Sequence, residues 1–137
     1  MGHEIAHATT RHGAERMAYQ KLVRLGSMAA SVVVGDMGYQ AQRAVMGALG
    51  AGAQYGVLLP FSRNHESEAD YIGLLYMARA CYDPREAPKV WERMGELKDG
   101  SGEPSEFSST HPSNETRIKN FGLWMDEALD LYAEHCK

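Results

Sequence analysis

Two histidines four residues apart, His3 and His7, constrain this chain more than any other feature. On a helix they stand on one face, about 40° apart around the axis, so both imidazoles can grip one metal ion. A catalytic site of this kind needs a third protein ligand and keeps its fourth position for water, which obliges the fold to bring distant chain onto the first helix. Glu4 lies beside the ligand face. There it can take a proton from water at the metal and later pass it to a leaving amine.

His3-Glu-Ile-Ala-His7 is the His-Glu-x-x-His pattern of zinc peptidases, a pattern short enough to arise by chance in unrelated proteins. The third ligand must therefore be sought separately. His12 lies half a turn of phase from His3 and about 140° from His7 on an unbroken helix, so it reads as a solvated or locally bonded side chain. The extended three-histidine pattern needs Gly at position 10 and His at 13, where this chain has Thr10 and Gly13.

Phe61-Ser-Arg-Asn-His-Glu-Ser-Glu-Ala-Asp70 is the better source, a polar opening to a second long helix expected to last to about Ala80. Glu66 and Asp70 share a helical face, whereas Glu68 points roughly 160° to 200° away and reads as a solvent or salt-bridge residue. Glu66 would complete a His, His, Glu set. Asp70 would accept the free N–H of a ligating histidine. Taken without the first motif, the same cluster reads as a solvated acidic first turn favoured by the helix dipole.

The segments Gly2-His-Glu-Ile-Ala-His-Ala-Thr, Phe61 to Asp70, Gly73, Tyr82-Asp-Pro84 and Ser109-Thr-His-Pro-Ser113 with Arg117 follow one another in an order that resembles the gluzincin metallopeptidases of the CAAX prenyl protease, HtpX, Oma1 and BepA/LoiP type. The resemblance runs nearly end to end. It implies a mainly α, zincin-like helical core and one Zn2+ on His3, His7 and Glu66, with Glu4 as general base and Asp70 behind the ligands. It also implies a site-facing His111 with Arg117 near it. His111 would either stabilise the oxyanion or hold the enzyme latent over the metal, and Arg117 would either bind substrate or anchor the loop by a salt bridge. One departure is Ala80-Cys81-Tyr82, where these proteins more usually carry glycine before the Tyr-Asp-Pro turn.

The implied function is zinc-dependent endopeptidase action on polypeptide substrates, in bacterial envelope or membrane-protein quality control, at a periplasmic or membrane-associated location. A proteolytically weak, chaperone-like or assembly-interaction module that keeps its zinc is the alternative. Relatives carry about as much sequence again before the zinc helix, including a strand that pairs with substrate. With the first ligand at residue 3, the chain is expected to be a fragment lacking that sheet-bearing part. It should then be a weak peptidase that self-associates through uncovered apolar faces, with any membrane association residing in the missing segments.

The 137 residues suit a single catalytic domain, 1–137. A net charge of -4 leaves no basic excess to attract nucleic acid. Cys81 and Cys136 could pair in an exported protein, and two unpaired thiols are at least as good a reading. Periodicity and punctuation predict a first helix to about Leu25, ended by Gly26, with Ile5, Ala6, Met17, Leu22 and Val23 in the core. Ser27 to Pro60 reads as helix interrupted by loop, its apolar run broken by Asp36, Gln40, Gln42 and Arg43 short of the roughly 18 to 20 residues that cross a bilayer. Ser62 should cap the Glu66 helix, and Asp83-Pro84-Arg85-Glu86 should open another to about Leu97. After a loop from Lys98 to Thr110, helices are expected from Ser113 to about Asn120 and from about Met125 to Glu134. Trp91, Phe121, Leu123 and Trp124 read as core.

Overall fold

The computed structural model describes residues 1–97 and 112–136; His111 and the Lys98 to Thr110 loop lie outside the described residues. The described elements are α1 (Gly2–Thr9), α2 (His12–Val33), α3 (Tyr39–Ala53), a π turn (Gln54–Leu58), α4 (Leu59–Arg79), α5 (Glu86–Leu97) and α6 (Asn114–His135). No strand occurs among the described residues, in keeping with a mainly α zincin-like core.

The single first helix expected to Leu25 is two helices. Thr9 and Thr10 turn their hydroxyls back onto the carbonyls of Ile5 and Ala6 at 2.8 to 3.1 Å, bonds that compete with the backbone amides of the last turn. Arg11 then takes a left-handed conformation, φ 60°, and its carbonyl starts α2. Gly26 does not end that helix, which runs on to Val33. The break also alters the core. Ala6 is buried and Val23 partly so, but Ile5, Met17 and Leu22 are exposed.

Helical backbone is continuous from Tyr39 to Arg79, so Ser62 lies inside the helix and caps nothing. The wider π turn ends at Leu58, two residues before Pro60, whose ring and missing N–H are hardest to fit into regular α geometry. No charged residue lies between Arg43 and Arg63, and the apolar stretch there continues through this turn. Among the described residues, one helix is consequently long and apolar enough by length and composition to cross a membrane, with only 6% of its apolar window buried, contrary to the shorter run expected from sequence.

α4 is the central element. Leu74 and Ala78 meet Phe121 and Ala128 of α6, with Trp91 of α5 and Trp124 closing the cluster. On its other side α4 meets α1 backbone to backbone at Gly2 and Gly73; a Cβ on Gly73 would stand 2.7 Å from the His3 nitrogen. Ser113 caps α6 by accepting from the Thr116 amide at 3.1 Å, and α6 then continues unbroken, leaving Leu123 exposed on its outer face. Pro84 is buried in the turn, and α5 begins two residues later at Glu86.

Cys81 and Cys136 form a disulfide that ties the end of α4 to the end of α6. Tyr82 N–H donates to the Met77 carbonyl and Cys81 N–H to that of Ala78, a Schellman stop with Cys81 at φ 61°. Glycine adopts that conformation without penalty, which is the physical sense of the residue expected there. In this chain the bridge holds a cysteine in its stead.

Candidate metal centre

The backbone contact at Gly2 and Gly73 lets the His3 and His7 face of α1 reach the first turns of α4. His3 Nε2 and His7 Nε2 lie 3.1 Å apart. Glu66 Oε2 is 3.4 Å from the first and Oε1 is 3.3 Å from the second. The three donor atoms fall within 4.8 Å of one another, so one small cation can touch all of them. Two imidazole nitrogens and a carboxylate oxygen are the donor types that suit zinc, and three leave a position open.

Each ligand side chain is held from behind. His3 Nδ1 meets Asp70 Oδ1 at 2.8 Å, and Asp70 is buried. The Asp70 and Glu66 carboxylates together raise the His3 imidazole from 6.5 to about 9, burial opposing them, so the metal-free ring carries two protons at neutral pH. Burial pushes His7 the other way, below its ordinary value.

Arg117, from α6, is only 4% exposed. Its Nη2 donates to Glu66 Oε2 at 2.6 Å, its Nε makes an ion-pair contact with Asp70 Oδ2 at 3.1 Å, and its guanidinium lies 4.0 Å over the Trp91 ring. These contacts tie Arg117 to both carboxylates of the cluster. Glu4 is exposed and lines a cavity of about 1070 Å³ shared with His3, Glu66 and Arg117, whose far wall is apolar through Tyr82, Val90, Trp91 and Met94.

His12 is not the solvated residue expected from an unbroken helix. The turn at Arg11 swings it under His7, where it is 4% exposed with its Nδ1 2.9 Å from His7 Nδ1. Its Nε2 meets Glu68 Oε2 at 3.2 Å. The His65 ring stacks on it, centroids 4.1 Å apart and planes 6° off parallel, and bonds Glu15 Oε2 at 2.9 Å. Sequence reasoning passed over His12 and His65 as site neighbours. The available signal was a repeated spacing, His12-Gly-Ala-Glu15 on α2 and His65-Glu-Ser-Glu68 on α4.

Comparison with known proteins adds an independent line. The model of a family described as Peptidase family M48 matches residues 1–124. The mitochondrial metalloendopeptidase OMA1 of Schizosaccharomyces pombe is 39% identical over 128 residues, covering 93% of this chain and 36% of that protein. The OMA1 protein of Arabidopsis thaliana is 40% identical over 136 residues, 98% of this chain and 26% of its own. The beta-barrel assembly-enhancing protease of Escherichia coli is 33% identical over 122 residues, 86% and 25%. The chain thus spans between a quarter and two fifths of these relatives, and no solved structure matches it.

Proposed function

We propose, from the premise that this chain belongs to Peptidase family M48, that it is the catalytic domain, residues 1–137, of a zinc-dependent endopeptidase acting on polypeptides. The observation that carries the reading is the convergence of His3 Nε2, His7 Nε2 and the Glu66 carboxylate beside a large cleft that Glu4 also lines. His3, His7 and Glu66 would hold the ion. When bound, zinc supplies Lewis-acid activation of water and of the scissile carbonyl.

The rest of the chemistry belongs to the protein. Glu4, exposed at the cleft, takes the proton from the attacking water and delivers it to the departing nitrogen. Asp70 fixes the His3 ring, and Arg117 holds Glu66 and Asp70 side by side without mutual repulsion. The apolar wall of Tyr82, Val90, Trp91 and Met94 suits apolar substrate side chains. His111 remains assigned to the cleft as latch or oxyanion partner on resemblance alone.

An oxidising, membrane-adjacent compartment, the bacterial envelope, is the working location we infer, with membrane-protein quality control as the task. The Cys81–Cys136 bridge supports the first part, because disulfides persist where thiols are not kept reduced. The assembly-enhancing protease among the relatives and the apolar helix after Arg43 support the second.

The test is metal content followed by cleavage of an unfolded protein. One zinc per chain is expected, retained in Glu4→Gln with hydrolysis falling by several orders of magnitude, and lost in Glu66→Ala. Absence of retained zinc in the parent, or undiminished cleavage by Glu4→Gln, removes the reading.

A further inference from the structure

Among the described residues, His7 is the candidate histidine ligand with no carboxylate behind it. Its Nε2 faces His3 and Glu66, so to ligate it must be bare and the proton must sit on Nδ1. That proton has a partner: His12 Nδ1, 2.9 Å away. The rest of the hydrogen bonding then has a single consistent direction. His7 Nδ1–H donates to His12 Nδ1, and His12 Nε2–H donates to Glu68 Oε2.

His12 is itself gripped on a second side. His65 stacks flat against it and bonds Glu15, so the two His-x-x-Glu segments exchange partners across the α2 and α4 interface: His12 with Glu68, His65 with Glu15. Phe61 and Tyr19 extend the stack away from the metal ligands. A ring buried to this degree, stacked and bonded at both nitrogens, has little freedom to rotate.

We propose that His12, oriented by Glu68 and braced by His65, is the positioning residue of His7, fixing Nε2 as the metal-binding atom before any metal arrives. His12 touches neither substrate nor ion and acts through His7 alone. Without it nothing holds the His7 proton on Nδ1, and a proton on Nε2 would block the atom that faces His3 and Glu66. The inference rests on the zinc reading of His3, His7 and Glu66, and it concerns the one ligand whose support the sequence motifs did not disclose.

The experiment uses the full 137-residue chain. Imidazole ¹⁵N spectra of the metal-free parent are expected to show His7 protonated at Nδ1; a proton on Nε2 overturns the proposal directly, with no substitution needed. Zinc affinity is then read by chelator competition, with circular dichroism to verify folding. His12→Phe keeps the ring and the stack but removes the acceptor, and should weaken zinc binding about 10- to 100-fold. His12→Asn returns an acceptor close to the Nδ1 position and should bind within about threefold of the parent, as should His65→Phe, which keeps the stack.

Parental affinity in His12→Phe refutes the proposal. So does equal weakening in His12→Phe and His12→Asn, which would assign the effect to ring packing. If the parent retains no zinc at all, the metalloendopeptidase reading fails, while the His7 tautomer in the metal-free chain still decides this one.

Discussion

Gly73→Ala isolates the contact on which the whole site depends. The added Cβ would stand 2.7 Å from the His3 nitrogen and 3.0 Å from the His3 Cα, against 3.4 Å for ordinary contact. These are backbone atoms on both sides, so no side chain can swing aside, and α1 must retreat from α4 by about 0.7 Å. Overpacking of this kind costs about 1 to 3 kcal/mol. The retreat carries a second penalty, because the His3 to Asp70 bond, 2.8 Å in the structure, would open to about 3.5 Å and cease to be one. A bond between charged partners contributes about 1.5 to 3 kcal/mol, so the metal-free variant should lose about 2.5 to 6 kcal/mol in urea unfolding. Its zinc affinity should fall about 10-fold or more as Glu66 separates from the histidines. Gly122→Ala serves as the reference: nothing lies within 4 Å of its Cβ, and it should gain about 0.5 to 1 kcal/mol from helix propensity. A Gly73→Ala protein with parental stability and zinc affinity would refute the close approach of α1 and α4.

Arg117→Met removes a buried cation and leaves Glu66 and Asp70 facing one another, which should cost the metal-free chain about 3 to 5 kcal/mol and the zinc-loaded chain less, as denaturant titrations of both forms would record. Equal losses in both forms would argue that the arginine only packs against Trp91. The proton on His3 makes stability depend on pH in a known direction: its pKa is about 9 folded against the ordinary 6.5, so the contribution is complete below pH 6.5 and lost as pH rises through about 9. With the ring a quarter exposed, solvent screening reduces this to about 1 to 2 kcal/mol. Urea midpoints of the metal-free chain at pH 6 and pH 9.5 test it, and a gain in stability toward the higher pH would contradict the His3 and Asp70 pairing. Cys136→Ser should destabilise by up to about 4 kcal/mol through the 55-residue separation it opens, and Cys81→Gly by about 1 kcal/mol less, because glycine fits the left-handed position at the end of α4. The reverse order in thermal melts would count against that account.

How much of this was legible from residues alone depends on the range of the forces involved. The His3, His7 and Glu66 grouping was legible because helical phase fixes which side chains share a face, and the family resemblance chose Glu66 over Asp70, which shares its face. The Ser113 cap was legible for the same local reason. The break at Arg11 was not. Its cause is two threonine hydroxyls competing for α1 carbonyls, a near-degenerate choice that the contacts of His12 beneath His7 tip. Treating residues 2 to 25 as one helix therefore placed His12 away from His7, which it contacts, and exposed faces such as Met17 and Leu22 were assigned to a core they do not meet. The close packing at Gly73 was hidden for another reason: glycine in a helix signals weakness locally, and only the partner backbone reveals that the missing side chain is the point.

The disulfide divides the molecule in a way that bears on its assembly. Cys81 and Cys136 close a covalent ring that contains α5 and α6, and so contains Arg117, while His3, His7 and Glu66 all lie outside it. A bound ion would staple α1 to α4, and the bridge staples α4 to α6, so two crosslinks formed by unrelated chemistry meet in one shared helix. Reductant and chelator should each release a different end of the molecule. A single backbone cut anywhere inside the ring would leave both pieces joined, migrating as one species until the bridge is reduced and as two afterwards.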